Sequence, residues 1–387
     1  MSAAAKPEKT DKHFNKDNEL NYSSINGETK MKRIEVLREQ AFNKKNFDAY
    51  LVTNEHNLLY LTGTPGAACL LIPKKGQNII YVYGVNYDQT KAEAKDCKVE
   101  LIKRGEKLTD KIAPEFKTLK IRKLATDAVY HEVYHLFAKA LRGKAKLKMQ
   151  TQLISDLRKV KDEEELARMR KAGEITVAGM KAAFETIRPG VTEIEVAAEI
   201  EYAMRKNKGY GTAFETIVAS GTRSAYPHGG CADRPIHKGD LVVVDIGGIY
   251  EFYRSDMTRT FAAGGSTQKQ EKLYDIVKNA QEKAYRAIKA GAKGKDIDQV
   301  ARKIIEDAGY SENFNHGLGH GVGLEIHEQP NLSSISKDKL VEGNVVTDEP
   351  GIYFPGWGGI RIEDTVFVKK RASDKFTDDF YSLETAK

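Results

Sequence analysis

Three histidines and four glycines fall within fourteen residues at 315–328, NHGLGHGVGLEIHE, in a chain that has nine histidines in all. Imidazole is a common neutral metal ligand and carries protons near neutral pH. Glycines between such groups let backbone approach whatever the rings hold. Alone, the stretch also fits a glycine-rich turn whose histidines are satisfied by backbone carbonyls. The acids on either side of it decide between the two.

Upstream, the run LVVVDIGG at 241–248 reads as a buried β-branched strand with Asp245 inside it. Gly247-Gly248 reads as a turn, and residues 253–261 as the return strand of a hairpin that brings Asp256 alongside. Downstream, 345–353 and 359–368 repeat the pattern, placing Glu349 and Glu363 inside apolar strands joined by a Pro/Gly-rich turn. A buried carboxylate must be protonated, paired or metal-bound. Four inward acids and one imidazole, His320, make a poor core and a good cage for two divalent cations, whose charge would cancel theirs. Mixed carboxylate and imidazole donors suit Mn, Co, Fe or Zn better than Ca or Mg. Two such ions close together activate a water for hydrolysis.

Asp245, Asp256, His320, Glu349 and Glu363 resemble the five metal ligands of the pita-bread metallopeptidases, which include methionine aminopeptidases, proline-specific aminopeptidases and prolidases. Residues 316–328 are similar to the prolidase and aminopeptidase P signature. The successive ligand gaps of 11, 64, 29 and 14 residues are similar to those of compact microbial prolidases. The resemblance runs from about residue 31 to the end of the chain. It implies an α/β amino-terminal domain with a mixed sheet, followed by an α+β pita-bread catalytic domain.

The resemblance also implies roles. Asp245 would grip one ion with both oxygens, Asp256 and Glu363 would bridge, and His320 and Glu349 would hold the second ion. A hydroxide bridging the ions would attack the scissile carbonyl, with Glu349 taking and passing on its proton. His228 and His327 would donate to the carbonyl oxygen and the leaving nitrogen, and Arg361 would brace the carboxylates. His316 is expected to support a ligand rather than be one. The implied reaction is hydrolysis of the bond preceding proline in Xaa-Pro dipeptides, with an aminopeptidase acting on longer Xaa-Pro peptides as the alternative. The expected ions are Mn or Co, with Zn or Fe as alternatives, and the expected assembly is a homodimer. A hydrolase of other C–N bonds and a non-catalytic binding module are disfavoured, because such relatives typically lack the ligands kept here. A methionine aminopeptidase is disfavoured by the extra amino-terminal domain and the spacing.

The elements that must position these groups can be read in outline. Residues 1–30 are polar, lack an apolar run and a small-residue cleavage site, and read as a disordered extension without a secretory signal. Residues 31–153 alternate: a helix at 34–45, strands at 49–53, 69–72, 79–82 and 99–102, and helices at 88–95 and 131–141. His131 and His135 share a helix face there without a third ligand, the pattern of an ordinary amphipathic face. Residues 154–387 form the second domain. It opens with a long charged helix at 154–188 ended by Arg188-Pro-Gly190, then a helix from Thr192 to about Lys206 with the capping-box pattern Thr192…Glu195. A strand at 214–219 and helices at about 267–290 and 295–308 follow.

Composition excludes several classes. No stretch of eighteen apolar residues is present, so no membrane span is expected. Cys69, Cys97 and Cys231 are odd in number and widely spaced, which suits a reducing, cytoplasmic setting. The net charge of +7 arises from 62 basic and 55 acidic residues dispersed along the chain, which reads as a solvated surface rather than a nucleic-acid site.

Overall fold

The computed structural model describes residues 27–94, 96–127 and 130–386. The expected extension lies outside the described residues up to 26, and its last four residues open the helix Gly27–Arg38. Among the described residues no helix is long and apolar enough to cross a membrane.

The amino-terminal half is built on one six-stranded sheet. Its strands Ala49–Val52, Cys69–Pro73, Asn78–Tyr83 and Cys97–Ile102 match the apolar runs in the sequence. Lys123–Thr126 and Lys146–Met149 add two strands that carry no apolar run and that the sequence pattern does not announce. The pairing is antiparallel on both sides of Cys69–Pro73 and parallel elsewhere, so the sheet is mixed. Helices Glu55–Thr62 and Leu108–Thr118 are further additions. His131 and His135 stack edge to face at 4.1 Å, and no third metal-binding group joins them among the described residues.

The long helix expected at 154–188 is two helices. Gln152–Arg158 ends before a break at 159–162, and Glu163–Thr186 begins after Asp162, whose side chain caps Glu165 N while Glu165 caps back. The acids at 162–165 therefore start a helix instead of decorating the inside of one. The expected domain division at 153/154 falls within Gln152–Arg158.

Beyond the break, two similar halves face each other. In the first, helices Glu163–Thr186 and Glu193–Lys206 cover the strands Ile217–Ser220, Leu241–Ile246 and Met257–Ala262. Ile175, Met180, Val196 and Ile200 pack there on Val242, Val244 and Ile246. In the second, Gln268–Ala287 and Gly294–Asp307 cover Val345–Asp348, Gly351–Phe354, Gly358–Arg361 and Asp364–Phe367 through Val277, Ala284, Ile297 and Ile305. Strand side chains alternate, so burying Val242, Val244 and Ile246 under the helices turns Asp245 to the opposite face. A third apolar core is shared between halves of the chain: Leu37, Tyr50, Leu58 and Ile72 meet Leu166, Met169, Val322 and Leu324.

Candidate active site

The first hairpin does not turn at Gly247-Gly248. Leu241–Ile246 pairs with Met257–Ala262, and Gly248–Tyr250 continues to pair with Tyr253–Arg254, so the turn lies at Glu251 and Phe252. Both have positive φ, 43° and 73°, the geometry of a two-residue hairpin loop. Gly247 instead permits a close backbone approach, since a Cβ there would lie 2.3 Å from Ser255 O. Thr258 stands opposite Asp245, so Asp256, two residues along, projects from the same face.

The second hairpin also differs from expectation. Glu349 and Glu363 stand in gaps between strands, after Val345–Asp348 and before Asp364–Phe367, rather than within strands. The pairings Asp348 with Asp364 and Gly351 with Arg361 keep one register across the gap, which sets Glu349 and Glu363 facing each other.

His320 lies in the short strand Gly319–Gly321, beside Val345–Asp348. Its Nδ1 is 3.1 Å from Gly321 O, so a proton stays on Nδ1 and Nε2 is turned to the acids. Nε2 is 3.3 Å from Glu349 Oε1 and 3.7 Å from Asp256 Oδ2. Donor atoms of Asp256, His320 and Glu363 all lie within 4.8 Å of one another. All five expected ligands, with His228, His316, His327 and Arg361, line one cavity of about 510 Å³, and Phe214, Ile217, Pro227 and Ile326 supply its apolar wall.

Arg361 is buried and donates to Asp245 Oδ2 at 2.6 Å, Tyr353 Oη at 2.9 Å and Thr258 Oγ1 at 3.1 Å. Thr258 in turn donates to Glu363 Oε2 at 2.6 Å, so one guanidinium braces two carboxylates. His316 reaches Tyr353 Oη at 3.0 Å, extending the network away from the acids. Thr258, Tyr353 and Thr347, which bonds Glu349 Oε1 at 3.1 Å, are functional contacts that sequence reasoning missed. Two-residue counting from Asp256 points to Thr258; nothing comparable marks Tyr353.

The electrostatics are those of a crowded anionic cavity. Burial first, then Glu363, push the Asp256 carboxyl well above its ordinary range, and burial with Glu349 does the same to Glu363. Burial also raises Asp245, against the pull of Arg361. For Glu349 burial works upward, but the His320 hydrogen bond and charge outweigh it and hold the group at about 2. His327 is lowered by burial and by His320 beside it. Asp245 Oδ1 is buried and has no hydrogen-bond partner among the described residues. A carboxylate oxygen stranded among other carboxylates, with an imidazole nitrogen aimed at them, fits divalent cations.

Two family models match the chain: the Creatinase/Prolidase N-terminal domain over residues 33–160 and metallopeptidase family M24 over residues 167–370. This chain belongs to metallopeptidase family M24. It is 40% identical over 339 residues to an Xaa-Pro dipeptidase of Pyrococcus horikoshii, covering 86% of this chain and 93% of that protein. The structure of an Xaa-Pro dipeptidase from Bacillus anthracis superposes with a TM-score of 0.86 at 37% identity, over 92% of this chain and 99% of that one. An X-Pro aminopeptidase from Thermotoga maritima superposes with a TM-score of 0.83 at 35% identity, over 91% and 99%. The M24 chain described here is thus an enzyme with a creatinase-type amino-terminal domain on a mixed sheet and a pita-bread catalytic domain, and its family implies divalent metal ions.

Proposed function

We propose that this M24 enzyme hydrolyses the peptide bond preceding proline in Xaa-Pro dipeptides. One observation carries the reading: five metal-type donors, with an unpartnered Asp245 oxygen among them, share a cavity with three further imidazoles and an apolar wall. The bond before proline is a tertiary amide without N–H, so a site for it needs groups that grip the carbonyl and room for a ring. Phe214, Ile217, Pro227 and Ile326 offer that room.

Asp245, Asp256, His320, Glu349 and Glu363 would hold the two divalent ions. When bound, the ions supply a water of lowered pKa and polarise the carbonyl. Glu349 would take up a proton on its carboxylate. His228 donates to the carbonyl oxygen as it gains charge, and His327 donates to the departing nitrogen. Arg361 keeps Asp245 and Glu363 oriented.

We further propose manganese or cobalt as native ions and a homodimer, and, from the three free cysteines, a cytoplasmic setting. The division expected at 153/154 lies near the edges of the two matched family models, at 160 and 167. The likeness to an X-Pro aminopeptidase favours a second reading, action on longer Xaa-Pro peptides. A Mn- or Co-supplemented assay of an Xaa-Pro dipeptide, an Xaa-Pro tripeptide and a Met-Ala control separates them. Cleavage of the dipeptide alone supports the first reading and cleavage of the tripeptide the second; Met-Ala cleavage in preference to both sinks the proline assignment.

A further inference from the structure

The His327 ring makes no hydrogen bond among the described residues. Its ring meets His320 edge to face, with centroids 4.3 Å apart. On its other side lies a second cavity of about 290 Å³, lined by Arg158, Glu325, Glu328 and Asn331 among others. A ring between two cavities is placed by its backbone, and residues 322–327 have no regular secondary structure. Something else must hold that segment.

Glu328, the next residue, is buried, and each of its carboxylate oxygens has its own cation. Lys161 Nζ donates to Oε1 at 2.8 Å and Arg158 Nη2 to Oε2 at 2.5 Å. Arg158 ends the helix before the 159–162 break and Lys161 lies within it, so both belong to the junction between the halves of the chain. The carboxylate also packs under the loop: a Cβ at Gly323 would meet Glu328 Oε1 at 2.5 Å. Arg158 adds a 2.7 Å pair with Glu325 inside the loop. From Arg158 the contacts continue into the amino-terminal sheet. Its Nη1 donates to Asn57 Oδ1 at 3.0 Å, and Asn57 Nδ2 donates to buried Asp127 at 2.9 Å. Val322 and Leu324, from the same loop, lie in the apolar core shared with the amino-terminal half.

We infer that Glu328 is a positioning residue for His327, and that the buried chain Asp127–Asn57–Arg158–Glu328 lets the amino-terminal half set the place of that imidazole. The inference rests on the reading of His327 as a group that acts on substrate. A carboxylate neutralised on both oxygens resists displacement, because moving it strands two buried cations. The neighbouring ring gains the fixed geometry that proton donation to a departing nitrogen requires.

A double-mutant cycle tests this on the metal-loaded, full-length enzyme. Glu328→Gln keeps the shape and removes the charge. It should lower kcat with little change in KM, by up to about 100-fold, as expected for a misplaced group. In a His327→Ala background the same change should cost less than twofold, because the group being positioned is gone. Asn57→Ala, two contacts away from Glu328, runs the same cycle should Glu328→Gln fold poorly. Equal losses in both backgrounds, or a loss of bound metal that accounts for the lost turnover, overturn the inference while leaving the proposed reaction standing. Full turnover in His327→Ala removes the role of His327 and the inference with it.

Discussion

Stripping the metal should make this protein's stability decline as pH rises, and adding metal should reverse the decline. The reason is the imbalance of charge around one cavity. Asp245, Asp256, Glu349 and Glu363 face one guanidinium, Arg361, and one imidazole, His320. Burial and neighbouring carboxylates raise Asp256 and Glu363 well above their ordinary 3.8 and 4.5. Such groups keep their protons in the folded chain after the unfolded chain has released them, so stability falls from the ordinary pKa up to the raised one. For His320 burial acts downward, yet Glu349 raises it above 6.5; its stabilising share is whole below 6.5 and is lost above. Groups of the opposite sign drop out between pH 7 and 8.5. Glu349, at about 2, gives stability that is lost only on acidification towards that value. His316 and His327, lowered from 6.5, titrate below the window. Two sites filled at one hundred times Kd stabilise by about 2.7 kcal/mol each, roughly 5.4 kcal/mol together. At roughly 2–4 °C per kcal/mol for a unit the size of the catalytic half, Tm rises by about 10–20 °C. Differential scanning fluorimetry of chelator-treated enzyme, with and without Mn, at pH 7 and 8.5 measures this. The increment should be larger at pH 8.5. An increment that is the same at both pH values, or absent with saturating Mn and Co, refutes the reasoning.

Asp256→Asn should abolish turnover and reduce bound metal, since the residue is expected to serve both ions; near-normal rates would end the two-metal reading. His228→Ala should keep metal content and lose turnover, measured by elemental analysis beside the dipeptide assay. Asp348 is fully buried, and neither of its carboxylate oxygens has a partner among the described residues. Asp348→Val should therefore stabilise the fold by about 1–3 kcal/mol in denaturant titration; a loss of stability would show that the carboxylate is held.

The metal-type residues are legible because each is chemically out of place: Asp245 interrupts a β-branched run, and His320 stands among glycines. The turn is not, because its signal misleads. Gly247 exists for the approach of Ser255 O, while the real turn takes positive φ on Glu251 and Phe252, two residues that seldom adopt it. The break at 159–162 does carry a readable sign. Asp162 and Glu165 form the same capping box as Thr192 and Glu195, but continuing helical periodicity on both sides masks it. Lys123–Thr126 and Lys146–Met149 are short and lysine-rich, and they become strands through parallel pairing that no local pattern announces. Tyr353 belongs to the site only because the second hairpin folds it back onto Arg361.

Both hairpins break in the middle without losing register, and three of the five expected ligands stand at the breaks. In the first, Ile246 pairs with Met257 and Ile249 with Arg254, with Asp256 in the gap; in the second, Glu349 and Glu363 occupy it. A break frees backbone groups, and buried ones must find partners. Here they find them across the site: Glu363 N bonds Thr258 O, Glu349 N bonds Leu318 O, and Asp256 N bonds Thr365 Oγ1. The first hairpin is thus tied to the second through the backbones of residues whose side chains would share the ions. Neither hairpin can shift without dragging a donor of the other, which makes the arrangement of the donors a property of the whole catalytic core rather than of a loop.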